Sequence, residues 1–101
     1  MKKIIDGKMY NTETATMVGD WWNGYSVRDF NHCFEELYRK KTGEYFLYGC
    51  GGPLSRYAVS SGSGWSGGEN IVPFTKAQAM RWAEKHLDAD EYVEEFGEVE
   101  E

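Results

Sequence analysis

Two histidines and two cysteines are the side chains of this sequence best suited to metal binding or nucleophilic catalysis: His32, Cys33, Cys50 and His86. Zinc sites draw on ligands in short paired spacings such as C-x-x-C, which this chain lacks, and the adjacent His32 and Cys33 would point to opposite sides of a strand. A cysteine–histidine pair could act as an activated nucleophile, and a histidine–histidine pair could act as the acid and base of RNA cleavage. The spacing of these residues in the sequence does not favour either pair. We therefore predict no catalytic residue, no metal and no cofactor, and a protein that is not an enzyme.

Three glycines match a nucleotide-binding pattern, G-x-G-x-x-G, at Gly62, Gly64 and Gly67. The pattern binds a dinucleotide only where it joins a strand to a helix. Here the extended-preferring Ile71-Val72-Pro73 follows instead of a helix. We interpret residues 60–68 as a glycine- and serine-rich loop, the end of a long flexible loop over residues 49–68 with a short extended piece near residues 55–59.

Cations and tyrosines concentrate in residues 34–52, which we predict to form a β-hairpin with Thr42-Gly43 as a two-residue loop. That register places Arg39 opposite Phe46 and Tyr38 opposite Leu47. Cations can follow a phosphate backbone and rings can stack on bases, so these side chains could hold single-stranded nucleic acid. The alternative is a solvated hairpin with packed tyrosines. We call the set the basic aromatic hairpin, and its members are Tyr38, Arg39, Lys40, Lys41, Tyr45, Tyr48 and Arg56.

Negative charge concentrates at the end of the chain. Residues 1–83 have a net charge of +2, whereas residues 84–101 hold nine acidic side chains and one lysine, a net charge of −8. Five carboxylates recur at steps of three and four residues and would share one stripe of a continuous helix. We call them the acidic face: Glu84, Asp88, Glu91, Glu95 and Glu98. This face could bind a basic partner; a plain solvated helix face is the alternative, and a helix cap at Asp88 argues against continuity.

Three tryptophans are candidate aromatic anchors for a partner, because tryptophan is enriched at interface hot spots. They are Trp21, Trp22 and Trp65. If Trp21 and Trp22 lie on a strand, one faces the core and the other faces outward. If they lie in a loop, both can cover the edge of the core.

The elements that would position these residues indicate a single α+β domain over residues 1–101. We predict a small antiparallel sheet of three to five strands, with C-terminal helices packed on one face. Residues 2–10 are interpreted as a small first hairpin with its turn at Asp6-Gly7, with a bent strand as the alternative. Residues 12–18 are interpreted as a short helix ended by Gly19, with a strand as the alternative. Residues 71–74 form a short strand, and Pro73 favours an edge position.

Two helices complete the prediction. Thr75 and Gln78 form a capping box before a helix that ends near Leu87, with Ala79, Trp82, Ala83, His86 and Leu87 as its buried stripe. Asp88 and Glu91 repeat the capping signature, and Gly97 is expected to end the second helix. Residues 88–101 are thus an acidic C-terminal helix and tail.

The sequence has no apolar run near the ~20 residues of a membrane helix and no signal-peptide pattern. We therefore expect a cytoplasmic protein without a membrane partner, in which Cys33 and Cys50 are free thiols. The oligomeric state stays open.

Three stretches together carry a resemblance to a known family. They are KKIIDGKMYNTETA at the start, ELYRKKTGEYFLYGCGGPLSRYA in the middle and GWSGGENIVPFTKAQAMRWAEKHLDADEYVEEFGEVEE at the end. Over nearly its whole length the chain resembles a family of small proteins on phages and mobile genetic elements of Gram-positive bacteria. Some members or relatives of that family are reported as anti-CRISPR proteins, which inhibit the type II effector nuclease.

The resemblance implies an inhibitor that binds a type II RNA-guided nuclease or interferes with the assembly of its guide RNA. The family has no catalytic motif that could be carried over to residues of this chain. The nuclease presents basic grooves for guide RNA and target DNA, which the acidic face could enter, whereas the basic aromatic hairpin could contact the guide RNA. The alternative function is a standalone nucleic-acid-binding or regulatory module that uses the basic aromatic hairpin.

Overall fold

Antiparallel strands and two C-terminal helices make up the computed structural model, which describes residues 1–101. The strands are β1 (Lys2–Ile5), β2 (Lys8–Asn11), β3 (Thr16–Trp22), β4 (Cys33–Arg39), β5 (Tyr45–Gly51), β6 (Val59–Ser61), β7 (Gly64–Ser66) and β8 (Gly68–Phe74). The helices are α1 (Lys76–His86) and α2 (Ala89–Phe96). The predicted α+β fold with one antiparallel central sheet and helices on it is confirmed.

The central sheet has the order β3-β4-β5-β8, and all of its neighbouring strands are antiparallel. Two small hairpins, β1–β2 and β6–β7, lie outside it. The hairpin with its turn at Asp6-Gly7 is confirmed. Pro73 belongs to β8, an outer strand of the sheet, as predicted from its missing backbone donor.

The turn between β4 and β5 differs from the prediction by one residue. Lys40 N donates to Glu44 O at 2.7 Å and Gly43 N to Lys40 O at 2.9 Å, which closes a three-residue loop with Gly43 at φ 92°. Arg39 therefore lies opposite Tyr45, and Leu37 opposite Leu47. The predicted pairings of Arg39 with Phe46 and of Tyr38 with Leu47 are therefore wrong, since Tyr38 lies opposite Phe46.

The main core lies between the sheet and the helices. Leu37, Tyr45 and Leu47 of the sheet pack with buried residues of α1 and α2, namely Ala79, Trp82, Ala83 and Tyr92. Both predicted capping boxes are present. Thr75 Oγ1 accepts from Gln78 N at 3.1 Å, Asp88 Oδ1 accepts from Glu91 N at 2.8 Å, and Gly97 ends α2 with φ 90°.

The other face of the sheet is covered at one end by β2. Tyr10 packs there against Tyr38, Phe46 and Ile71. The Tyr38 and Phe46 rings are stacked with centroids 5.2 Å apart, and Tyr10 meets Phe46 edge-on at 5.5 Å. This second core fixes the position of the first hairpin on the sheet.

Residues 12–18 are not a helix. A turn at residues 12–14 leads into β3, whose β-branched Thr16 and Val18 suit an extended backbone. Gly19 does not end the element either. It lies at a register shift in β3, where a Cβ atom would be 2.5 Å from a methyl carbon of Leu87.

Residues 49–68 are not one long loop. β5 continues to Gly51, and β6 and β7 form a hairpin from Val59 to Ser66, over most of the stretch 60–68 that was interpreted as a glycine- and serine-rich loop. β8 begins at Gly68, three residues before the predicted strand. Pairing with β5 overrides the weak strand preference of Gly68, Glu69 and Asn70. No helix of the protein is long and apolar enough to cross a membrane.

Candidate functional site

The acidic face is divided between two helices. α1 ends at His86, the following residue Leu87 is extended with φ −99° and ψ 160°, and α2 begins at Ala89. The five predicted carboxylates therefore do not form one continuous helical stripe. Asp88 and Glu91 also hydrogen-bond to each other's backbone N–H groups in the capping box. Two members of the face thus hold the start of α2 in place.

Glu95 connects α2 to the sheet. Its carboxylate forms an ion pair with Arg39 and accepts a hydrogen bond from the Tyr45 hydroxyl at 2.6 Å. The Glu95 side chain is only 11% exposed. Burial, together with the hydrogen bond to the Glu95 carboxylate, raises the pKa of Tyr45 to about 12. The Glu95 carboxylate is therefore engaged in contacts within the fold, with Arg39 and Tyr45.

The remaining carboxylates near the C-terminus are open to solvent. None of them forms an ion pair, and Lys85 is the one cation within residues 84–101. Exposed carboxylates without cationic partners give this end of the molecule a negative field. They are Glu84, Asp88, Asp90, Glu91, Glu94, Glu98, Glu100 and Glu101.

The tyrosines of the basic aromatic hairpin lie on both faces of the sheet. Tyr45 packs under the helices, whereas Tyr38 packs under the first hairpin, and both are buried. The Tyr38 hydroxyl donates to Glu36 at 3.0 Å and the Tyr48 hydroxyl donates to Glu69 at 2.7 Å. The rings therefore do not form one open platform on which successive bases could stack.

Three cations of the basic aromatic hairpin are in contact with other parts of the protein. Lys40 Nζ lies 3.7 Å from the centroid of the Tyr10 ring and 3.7 Å from a Glu44 carboxylate oxygen. Arg56 lies 3.3 Å from the buried carboxylate of Glu35, and Arg39 pairs with Glu95 as described. Lys41 is exposed and unpaired. The geometry thus leaves one free cation in the turn.

The three candidate aromatic anchors differ in how exposed they are. Trp21 lies half-buried against the helices, where its ring is 4.4 Å from the ring of His86. Trp22 points to the other face and is 54% exposed, and Trp65 on β7 is also exposed. The strand interpretation, one tryptophan inward and one outward, is confirmed for Trp21 and Trp22.

Glu35 is a central residue that the sequence did not reveal. Its side chain is 1% exposed, accepts hydrogen bonds from Tyr57 and Trp82, and lies within ion-pair distance of Arg56. Burial and the Glu35 hydrogen bond raise the pKa of Tyr57. The alternating strand pattern gave no sign that Glu35 faces inward while its neighbour Glu36 stays half-exposed.

The two histidines contact different neighbours. His86 is flanked by the rings of Trp21 and Trp82, and burial lowers its pKa. His32 Nδ1 lies 2.9 Å from the carbonyl oxygen of Tyr25. No group of three or more histidine, cysteine or acidic side chains has the geometry to hold a metal ion.

Comparison with protein families, with curated proteins and with solved structures found no match for this chain. The surfaces described here therefore provide the structural basis for a functional assignment. The most distinct of them is the open negative surface of residues 84–101.

Proposed function

We propose that this protein is a cytoplasmic inhibitor that binds a type II RNA-guided effector nuclease or blocks assembly of the nuclease with its guide RNA. The observation that carries the proposal is the set of exposed, unpaired carboxylates at the C-terminal end of the chain. The resemblance of the sequence to a family that includes anti-CRISPR proteins supplies the identity of the partner.

A negative surface suits such a partner because the nuclease holds its RNA and DNA in positively charged channels. Carboxylates on a rigid scaffold can compete with phosphates for the same lysines and arginines. A capping box fixes the start of each helix, and the contact of Glu95 with Arg39 and Tyr45 holds α2 on the sheet. The negative charge is thus presented on a folded surface and not only on a tail.

Inhibition can be tested by order of addition. Purified protein is mixed with several orthologous type II nucleases before or after guide loading, and cleavage of a target DNA is measured. We expect inhibition, stronger when the protein is added before the guide RNA, because the basic groove is then unoccupied. Unchanged cleavage in both orders with every nuclease would contradict the proposal.

A pair of matched variants tests whether the acidic surface is responsible. Glu84→Gln with Glu98→Gln removes two carboxylates that take no part in a cap or an ion pair. Asp6→Asn with Glu13→Gln removes the same charge from the first hairpin and the turn after it. We expect the first variant to weaken inhibition about tenfold, or ~1.4 kcal/mol, and the second to leave it unchanged. Equal effects of both variants would exclude the acidic surface as the contact.

A further inference from the structure

Exposed apolar side chains cluster at the end of the sheet that the first hairpin leaves uncovered. Trp22, at the end of β3, is followed by Tyr25, Val27 and Phe30, and Leu54 lies near Phe30 because Leu54 N donates to Phe30 O at 2.8 Å. Val27 is 80% exposed, Phe30 64% and Leu54 65%. Apolar residues this close together on a small protein typically mark a contact surface. We call these five residues the apolar patch.

The loop that carries the apolar patch is held by its own hydrogen bonds. Asn23 N donates to Cys33 O and the Asn23 side-chain amide donates to Asn31 O at 2.7 Å, while Asn23 Oδ1 accepts from Cys33 N at 3.1 Å. Trp22 Nε1 donates to Tyr25 O, which also lies 2.9 Å from His32 Nδ1. A loop ordered in this way holds its side chains in place before a partner arrives, which lowers the entropy cost of binding.

Two depressions adjoin at this patch. One, of about 530 Å³, is lined mainly by apolar side chains, including Trp22, Tyr25, Val27 and Phe34. The other, of about 510 Å³, runs past Val27 and Phe30 toward Glu69. Val27, His32 and Cys50 line both, so the two depressions form one surface and these three residues make up their shared wall. A partner could place one large apolar side chain in each.

Asp20 and Glu69, which have no cationic partner, line the two depressions, and Glu36 lies next to Asp20 on the sheet. Asp20 and Glu36 lie directly opposite each other on β3 and β4, an arrangement of like charges that disfavours strand pairing. Glu69 of β8 lies opposite Cys50 of β5. None of the carboxylates of Asp20, Glu36 and Glu69 forms an ion pair. Arg28 is the one cation that lines either depression. The rim is therefore negative around an apolar centre.

We propose that this surface docks a basic protein segment, one that presents an aromatic or branched aliphatic side chain flanked by lysine or arginine. The apolar anchor would enter beside Val27, and the flanking cations would pair with Asp20, Glu36 and Glu69. A second copy of this chain fits less well, because the protein has a net charge of −6. Nucleic acid fits less well because its phosphates would meet the carboxylates. The inference is independent of the acidic surface at the C-terminus.

A peptide selection tests the proposal and does not require the natural partner to be identified. A phage-displayed library of random 16-residue peptides is selected on the immobilised full-length protein, with the variant Val27→Asp/Phe30→Asp used for counter-selection. Both side chains are exposed, so the variant should fold, which circular dichroism and urea unfolding verify. Selected peptides are then synthesised and their affinities measured by fluorescence polarisation.

We expect the selected peptides to carry a net positive charge with an aromatic or branched residue between lysines or arginines. Their affinity should fall at least tenfold for Val27→Asp/Phe30→Asp. It should fall about threefold to tenfold for Asp20→Asn/Glu69→Gln, with a weaker salt dependence, and stay unchanged for Asp6→Asn/Glu13→Gln.

Four results would overturn the proposal. The first is no enrichment over the counter-selection, and the second is enrichment of neutral or acidic peptides. The third is a wild-type dimer in sedimentation equilibrium that Val27→Asp/Phe30→Asp converts to a monomer, because a second copy would then cover the patch. Binding of a labelled single-stranded RNA or DNA that the same variant abolishes would likewise assign the surface to nucleic acid.

Discussion

The indole Nε1 of Trp82 donates a hydrogen bond of 2.9 Å to the carboxylate of Glu35, which joins helix α1 to strand β4 inside the core. The Tyr57 hydroxyl donates to the same carboxylate, and the Arg56 guanidinium lies 3.3 Å from it, within ion-pair distance. No buried side-chain polar atom of the protein lacks a hydrogen-bond partner, so this buried charge is satisfied.

Replacement of Glu35 should therefore destabilise the fold. Glu35→Ala leaves the donors of Trp82 and Tyr57 without an acceptor, and we expect a loss of roughly 2–5 kcal/mol in the free energy of unfolding. Glu35→Gln keeps one acceptor oxygen and should cost less. Urea unfolding measures both, with the exposed Glu13→Ala as control, expected within about 0.5 kcal/mol of wild type. A Glu35→Ala variant as stable as Glu13→Ala would contradict this account.

Gly49 is required because the Tyr57 ring lies directly on it. A Cβ atom at position 49 would collide with the ring carbons and the hydroxyl oxygen of Tyr57. We expect Gly49→Ala to destabilise the protein by roughly 1–3 kcal/mol, the usual range for overpacking. In a double-mutant cycle, Gly49→Ala should cost much less when Tyr57 is already alanine. Equal costs in both backgrounds would show that the ring is not the obstacle.

High pH should destabilise the protein through its tyrosines. Burial, with hydrogen bonds to Glu36 and Glu95, raises the pKa values of Tyr38 and Tyr45 from 10.0 to about 12. Because both folded-state pKa values are raised, the stabilisation is complete below pH 10 and is lost as the pH rises from 10 through 12. Urea unfolding at pH 9, 10 and 11 measures the loss. Absorbance near 295 nm should show less phenolate in the native protein than in the unfolded protein at pH 11. A stability that does not change above pH 10 would be inconsistent with these pKa shifts.

The isolated protein should bind nucleic acid weakly. Arg39, Lys40 and Arg56 contact Glu95, Glu44 and Glu35, so Lys41 is the one cation of the basic aromatic hairpin that is free to meet a phosphate. We expect no shift of labelled single-stranded RNA or DNA in gels at about 150 mM salt. Arg39→Ala should lower stability by about 1 kcal/mol through loss of the Glu95 contact, whereas Lys41→Ala should be neutral. A strong shift that disappears when Arg39, Lys40 and Lys41 are all alanine would instead favour the standalone nucleic-acid-binding module.

Local signals predicted the helices and the first hairpin well. Thr75 with Gln78, and Asp88 with Glu91, determine where the helices begin, and Asp6-Gly7 determines a turn. Such features depend on neighbouring residues alone and are therefore readable in a single sequence.

Long-range contacts account for what was missed. Gly19 and Gly49 look like chain breaks in sequence, but each makes room for a distant side chain, Leu87 and Tyr57 respectively. The turn at Lys40–Glu44 closes with three residues instead of two, which changes the partners of Arg39 and Tyr38. The same shift explains why cations and rings that are close in sequence do not form one site, since strand alternation sends Tyr38 and Tyr45 to opposite cores.

We propose that this protein acts by binding another protein through its negative C-terminal surface. The most direct test is sedimentation velocity of the purified protein with a type II nuclease that has no guide RNA, at low and moderate salt. We expect a complex that Glu84→Gln/Glu98→Gln weakens, that Asp6→Asn/Glu13→Gln leaves intact, and that dissociates as salt rises. Independent sedimentation of the two proteins at low salt, for every nuclease tried, would contradict it.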